Sequence, residues 1–203
     1  MKSSEIITPE GNIAQYTIDN NNELNLIFSH ANGFNGRVYN SLLHKINNNY
    51  NIHTYDMRGH GDTTLKANPN NLKSWYSFRD DLLSVIENFK TPVILSGHSM
   101  GATASLLVAL HKPELVKKLI LIEPVILPLR YIISYRLLQF LKLAHFVSPL
   151  ARNASIRRNG WDTKEEAIKY FRGKKLFSKT SDEVLTNYVE YGLKKESQYK
   201  LKC

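Results

Sequence analysis

The sequence contains a single cysteine, Cys203, so an internal disulfide is excluded and nothing requires an oxidising compartment. It also lacks a run of about 18 apolar residues, and it has no apolar segment of signal-peptide length near its first residues. We detect no internal repeat. These absences predict a cytoplasmic protein without a membrane span.

The chain has too few acidic residues to balance its basic ones, and its net charge is +9. From residue 112 onward there are 19 Lys and Arg against 9 Asp and Glu, whereas the first 111 residues are close to neutral. Such a surplus favours a nucleic-acid or anionic-membrane partner, or else a solvated helical face. No aromatic and basic binding motif accompanies the charge, so we expect the solvated face and no nucleic-acid partner.

Apolar, β-branched segments alternate with helical periodicity over the first 124 residues. The predicted strands are 5–9, 13–18, 24–30, 51–56, 92–98 and 117–124, and the predicted helices between them are 36–47, 72–89 and 99–111. This order predicts an α/β fold with a doubly wound, mostly parallel sheet of about six strands. Only helical patterns follow, at 129–147, 163–172 and 181–193, which predicts a helical insertion.

Ser99 lies between two glycines in the stretch Gly97-His98-Ser99-Met100-Gly101, directly after an apolar run. A Gly-x-Ser-x-Gly step between a strand and a helix places the serine on a sharp, strained turn. A side chain at either glycine position would collide there with neighbouring backbone. The alternative is a serine that caps the following helix, but a cap requires no flanking glycines, so the pattern favours a nucleophile.

Two other loops follow predicted strands, His-Ala-Asn-Gly-Phe at 30–34 and Asp-Met-Arg-Gly-His-Gly at 56–61. Together with the motif at 97–101 they resemble the α/β-hydrolase superfamily, in its lineage of lipases, esterases and C–C hydrolases. The resemblance implies a hydrolase core over 1–124 and a helical cap over 125–193, inserted after the sixth strand. Residues 194–203 would then begin the return to the core.

The resemblance also implies roles for single residues. Ser99 would be the nucleophile, and the backbone N–H groups of Asn32 and Met100 would form an oxyanion hole. Glu123 is a candidate acid, with a hinge role beside the following proline as the alternative. His145 alone among the histidines follows both Ser99 and an acid in the superfamily's chain order, although it lies in an amphipathic helical pattern.

The implied function is a serine hydrolase that cleaves an ester, or a related acyl or C–C bond, of a small molecule without a metal or cofactor. Members of the superfamily continue with two more strands, a catalytic acid and a catalytic histidine, and this sequence contains neither segment. The resemblance therefore implies an incomplete chain, whose free sheet edge would favour self-association. The alternative is a degenerate fragment or a non-catalytic relative that binds a small ligand between core and cap.

Overall fold

The computed structural model describes residues 1–46, 49–68, 72, 74–140 and 158–202. The strands in these ranges are β1 (Lys2–Thr8), β2 (Gly11–Ile18), β3 (Asn25–Ser29), β4 (Asn51–Tyr55), β5 (Val93–His98), β6 (Val116–Ile122), β7 (Leu193–Lys195) and β8 (Tyr199–Leu201). The helices are α1 (Asn40–Leu43), α2 (Tyr76–Ile86), α3 (Met100–His111), α4 (Leu129–Phe140), α5 (Lys164–Arg172) and α6 (Asp182–Gly192). Short 3₁₀ turns span Gly36–Tyr39 and Pro113–Leu115.

Six strands form one sheet in the order β1-β2-β4-β3-β5-β6. The β1–β2 and β2–β4 pairs are antiparallel, whereas the β4–β3, β3–β5 and β5–β6 pairs are parallel. The predicted α/β fold with a mostly parallel sheet is confirmed, and each predicted strand of the first 124 residues is present with small shifts at its ends.

Helices pack on both faces of the central strands, which explains why consecutive apolar side chains of β3 and β5 are buried on either face. On one face, side chains of β3 and β5 pack with α2 and α3, and Ile27, Leu95 and Leu82 are fully buried there. On the other face, Phe28 and its neighbours pack against Leu43 of α1. Burial of each such side chain contributes about 1.5–3 kcal/mol to stability.

The carboxyl ends of the parallel strands meet at one edge of the sheet. Ser29, the last residue of β3, is in register with Tyr55 of β4 on one side and with Gly97 of β5 on the other. Gly97 is in turn in register with Leu121 of β6. The loops that follow β3, β4 and β5 are therefore neighbours.

In the described part of the chain, β6 pairs with β5 and leaves its other edge open. The side chains of Ile120 and Ile122 on this strand are 40% and 39% exposed. Beside them runs an apolar groove of about 230 Å³, whose lining residues include Phe28, Ile94 and Leu42. Sheet edges with unpaired backbone groups are sites where other strands can add.

Residues 158–202 form a compact unit built on aromatic side chains. Its buried cluster contains Trp161, Phe171, Phe177, Tyr188 and aliphatic neighbours from α5, α6, β7 and β8, together with Val38 of the first 3₁₀ turn. Both helices begin at side-chain caps, where the Thr163 hydroxyl accepts from Glu166 N–H and the Ser181 hydroxyl accepts from Val184 N–H. The two helices predicted in this region are confirmed. The strands β7 and β8 are an addition, since they pair with each other and not with the main sheet.

The helix predicted over 129–147 is present as α4 through Phe140, and its remainder, including His145, lies outside the described residues. The division into a core over 1–124, a cap over 125–193 and a returning segment stays a prediction. Some basic residues of 158–202 form local ion pairs, in which Arg158 contacts Glu166 and Lys164 contacts Glu190. None of the described helices is both long and apolar enough to span a bilayer.

Candidate active site

Ser99 occupies a strained backbone position between β5 and α3. Its φ of 53° and ψ of −113° lie in a region that a non-glycine residue rarely adopts. The Ser99 N–H donates to the carbonyl oxygen of Ile122 at 2.9 Å, and its own carbonyl accepts from Thr103 N–H in the first turn of the helix. The Ser99 hydroxyl makes no capping hydrogen bond to α3, so the helix-cap alternative is not supported.

The glycines on either side of Ser99 are required by close backbone contacts. A Cβ on Gly97 would lie 2.5 Å from the carbonyl carbon of Gly101. A Cβ on Gly101 would collide in turn with the backbone of Ser29 and His30 at the end of β3. The steric expectation for both glycines is therefore confirmed, and the strand and the helix cross as closely as they do because neither position bears a side chain.

Two backbone N–H groups near Ser99 have no acceptor among the described residues. They belong to Met100, the first residue of α3, and to Asn32 in the loop after β3. The first N–H groups of a helix lack intrahelical partners and sit at the positive end of its dipole. Such groups are suited to stabilise a negative charge on a substrate oxygen.

His30 fixes the start of the loop that contains Asn32. Its ring is fully buried, its Nε2 accepts from Met57 N–H at 2.9 Å, and its Nδ1 lies 2.8 Å from the carbonyl oxygen of Ala31. Because Nε2 is an acceptor, Nδ1 holds the proton and donates to Ala31. Burial, and to a smaller extent the neighbouring His60, lower the pKa of His30 to about 3, so the ring is neutral. His30 is therefore a buried, hydrogen-bonded part of this loop.

His60 holds the same loop from the opposite side. Its Nε2 accepts from Gly33 N–H at 3.1 Å, and its Nδ1 lies 3.0 Å from the carbonyl oxygen of Arg58. Its ring packs edge-on against His30, with the ring centroids 5.1 Å apart. Burial lowers the pKa of His60 as well. The two histidines therefore brace the loop after β3, and neither is available as a base for Ser99.

Asp56 organises the loop after β4, a role that the sequence pattern did not indicate. Its carboxylate is fully buried and accepts from Gly36 N–H, Asp62 N–H and the Tyr16 hydroxyl at 2.8–2.9 Å. Burial raises its pKa, while these donors and Arg37 oppose the shift. Gly61 has a φ of 55°, and a Cβ there would overlap the Asp56 carboxylate at 2.0 Å.

Tyr39 and His98 connect two of the loops at this edge. The Tyr39 hydroxyl lies 2.8 Å from His98 Nδ1 and accepts from Ala31 N–H at 3.3 Å. The candidate acid Glu123 follows β6 with a φ of 48°, and its Oε2 lies 4.0 Å from His98 Nε2. The Glu123 side chain is 87% exposed. Nothing in the sequence pattern indicated that Tyr39 belongs to this edge.

The other described histidines lie away from Ser99. His53 Nδ1 lies 3.0 Å from the Thr17 hydroxyl, and His44 Nδ1 lies 2.9 Å from the Asn40 carbonyl oxygen. His111 ends α3. In the described ranges no histidine forms a hydrogen bond with Ser99, and no group of His, Cys, Asp and Glu is arranged to hold a metal ion. The candidate base His145 lies outside those ranges.

Comparison with known proteins identifies related hydrolases. Residues 22–185 match the model of a family described as serine aminopeptidase, S33. A segment of 100 residues is 26% identical to an (E)-2-((N-methylformamido)methylene)succinate hydrolase of Acinetobacter baylyi. That segment covers 49% of this chain and 37% of the relative, so the match spans little more than a third of the curated relative's length.

Solved α/β-hydrolase structures share the fold of the whole chain. The thioesterase domain of a curacin biosynthetic pathway superposes with a TM-score of 0.78 at 17% identity, covering 100% of this chain and 72% of that one. An E-2-(acetamidomethylene)succinate hydrolase superposes with a TM-score of 0.72 at 20% identity, covering 98% of this chain and 68% of that one. At these identities the likeness establishes the fold alone.

Proposed function

The chain belongs to the α/β-hydrolase family described as serine aminopeptidase, S33, and from this premise we propose that it is a serine hydrolase whose nucleophile is Ser99. The single observation behind the proposal is the turn at Ser99, with its φ of 53° and its two glycines in backbone contact. Strain of this kind persists only where the surrounding structure enforces it, and it clusters at functional sites.

In the proposed reaction the Ser99 hydroxyl oxygen attacks a substrate carbonyl carbon, and its proton passes to a base. The carbonyl oxygen becomes an oxyanion, which the N–H groups of Met100 and Asn32 would stabilise by donating to it. Loss of one such donor costs about 3–4 kcal/mol of transition-state stabilisation in a serine protease. Collapse of the intermediate releases the leaving group and leaves an acyl group on Ser99, which water then removes.

Glu123 remains the proposed acid at this edge, and it follows the strand whose Ile122 carbonyl accepts from Ser99 N–H. A serine hydroxyl is a weak nucleophile without a base, so the proposal requires a histidine that reaches Ser99. His145 is the candidate named by chain order.

The proposed substrate is a small molecule with an ester, or with a related acyl or C–C bond. The names of the relatives support this class, because one is a thioesterase and two are hydrolases of substituted succinates. The proposed setting is the cytoplasm, since the one cysteine of the sequence cannot form an internal disulfide.

A fluorophosphonate probe, which reacts with activated serines, tests the proposal together with ester hydrolysis. We expect Ser99→Ala to abolish both. Ser96→Ala is the matched control, because Ser96 is a buried serine on the same strand that lines the apolar groove instead of the strand end. Undiminished labelling or hydrolysis in Ser99→Ala would contradict the proposal.

The alternative function is a non-catalytic member of the superfamily that binds a small ligand. One observation favours it, namely that no histidine in the described ranges is hydrogen-bonded to Ser99. A protein of this kind would bind short acyl esters without consuming them and would resist the fluorophosphonate probe. Isothermal titration with a non-hydrolysable ester analogue, alongside the labelling assay, separates the two functions.

Self-association is the proposed partner interaction. Its support is the open edge of β6, flanked by the apolar groove and by the half-exposed Ile120 and Ile122. Two copies could continue one another's sheet through this edge.

A further inference from the structure

The hydroxyl of Tyr39 joins the two chain segments that contain the proposed oxyanion donors. On one side it accepts from the N–H of Ala31, the residue before Asn32. On the other side it lies 2.8 Å from Nδ1 of His98, two residues before Met100. Apart from the sheet hydrogen bonds between β3 and β5, this hydroxyl provides a direct link between the two loops.

The direction of these hydrogen bonds follows from the chemistry of the groups. A backbone N–H can only donate, so Tyr39 accepts from Ala31, and its single hydrogen is available for His98 Nδ1. Burial raises the pKa of Tyr39, so the hydroxyl keeps its proton and remains a donor. The other ring nitrogen of His98, Nε2, lies 4.0 Å from Glu123 Oε2.

The Tyr39 ring is held by its surroundings. It contacts Phe28 of β3, with ring centroids 4.7 Å apart, and Phe34 of the loop after β3, at 6.0 Å. The 3₁₀ turn that ends at Tyr39 is capped by Asn35, whose side chain accepts from Val38 N–H. The hydroxyl therefore has a fixed position from which it can set the distance between the two loops.

We propose that Tyr39 is a positioning residue that sets the spacing of the Asn32 and Met100 N–H groups, so that both reach one substrate oxyanion. This inference rests on the proposed function of Ser99. Tyr39 touches neither the substrate nor the reacting atoms; it acts through Ala31 and His98. Its substitution should weaken stabilisation of the oxyanion and leave ground-state binding unchanged.

The test is Tyr39→Phe, which removes one oxygen and keeps the ring contacts. Removal of one oxyanion donor lowers the rate of a serine protease about 10²- to 10³-fold. A donor that is only displaced should lower the rate less. We expect the maximal rate of fluorophosphonate labelling at Ser99 to fall about 10-fold, with the concentration for half-maximal rate within about twofold of wild type. A trifluoromethyl ketone bound to Ser99 gives a second readout, because ¹⁹F NMR reports the pKa of its hemiketal hydroxyl. That pKa should rise by about one unit in Tyr39→Phe, the equivalent of a tenfold change.

Tyr55→Phe is the matched control. Tyr55 is fully buried, and its hydroxyl lies 3.1 Å from the Ser29 hydroxyl, so this variant also loses a buried hydrogen bond. It should label at the wild-type rate, even where both variants unfold at a lower temperature. Equal losses in the two variants, or a wild-type rate in Tyr39→Phe, would overturn the role of Tyr39 and leave that of Ser99 standing. Labelling that survives Ser99→Ala would overturn both.

Discussion

A methyl group on Gly101 would lie 2.2 Å from the carbonyl oxygen of Ser29. The first turn of α3 therefore crosses the end of β3 with no room for any side chain. This contact determines how closely the helix that follows Ser99 approaches the loop that contains Asn32. The geometry of the candidate active site thus depends on the absence of a Cβ at Gly101, next to the backbone carbonyl of Ser29.

Gly101→Ala should destabilise the protein because the backbone of two segments must separate to admit the methyl group. We expect the free energy of unfolding to fall by about 1–3 kcal/mol, as in other overpacked cores. Gly173→Ala is the control, since its methyl would meet its nearest neighbour at 3.5 Å. That variant should be as stable as wild type or up to about 1 kcal/mol more stable. Urea denaturation measures both variants. An unchanged free energy of unfolding in Gly101→Ala would contradict the close crossing of α3 and β3.

Arg58 connects the loop after β4 to α2 through a bidentate ion pair with Asp81, in which both N–O distances are 2.7 Å. Both side chains are largely buried, at 11% and 6% exposure. Arg58→Ala should cost about 3–5 kcal/mol of stability, because it leaves the Asp81 carboxylate buried without its partner. Arg79→Ala removes an ion pair with the exposed Asp80 and should cost less than about 1 kcal/mol. Similar losses for both variants in urea denaturation would contradict the prediction.

Stability should fall as the pH drops below about 6.5, because buried histidines remain neutral in the folded state. Burial lowers the pKa of His30 to about 3 and that of His53 to about 4. An unfolded chain takes up a proton at each histidine near pH 6.5, whereas the folded chain does not until the lower pKa is reached. The unfolded state therefore binds more protons in this interval, and each of these histidines removes up to about 1.4 kcal/mol per pH unit.

His53→Gln isolates one part of this pH dependence, because His53 lies on β4, away from the loops around Ser99. At pH 7 the variant should be less stable than wild type. Between pH 6 and 5 its free energy of unfolding should fall less steeply than that of wild type, and the two slopes should differ by about 1 kcal/mol per pH unit. Urea denaturation at several pH values gives both slopes. Identical slopes for the variant and wild type would show that His53 is not responsible for the effect.

Self-association through β6 should depend on Ile120, which is exposed on the open edge beside the apolar groove. A lysine there places a charge on the surface that a second copy would cover, so Ile120→Lys should shift the protein toward monomer in sedimentation velocity. Leu110→Lys is the matched control, because Leu110 is 72% exposed near the end of α3. It should leave the distribution of species unchanged. A monomeric wild type, or equal effects of both substitutions, would contradict the proposed edge.

Local patterns in the sequence were sufficient to predict the sheet and the sharp turn at Ser99. The strands alternate with helices at regular spacing. The glycines at 97 and 101 indicate a sharp turn with close backbone contacts from a stretch of only five residues. The position of Tyr39 could not be predicted, because its partner His98 is 59 residues away and the contact exists only once β3 and β5 are in register.

The pairing of β7 with β8 was missed for a different reason. Each strand is three residues long and contains lysine, so neither shows the apolar alternation by which longer strands are found. Their position is set by Trp161, whose backbone exchanges two hydrogen bonds with Tyr199. Contacts between distant segments, and not local propensity, determine these strands.

The packing of Phe34 implies an order of assembly during synthesis. Its ring contacts Phe177 and Tyr188, with centroid distances of 6.1 and 5.3 Å, although both partners emerge from the ribosome long after it. The strands around Ser99 can pair as soon as β6 has been made, but the loop that contains Asn32 reaches its final packing only when α6 is complete. A nascent chain would thus hold a formed sheet and an unfinished candidate active site, so competence for chemistry would come last.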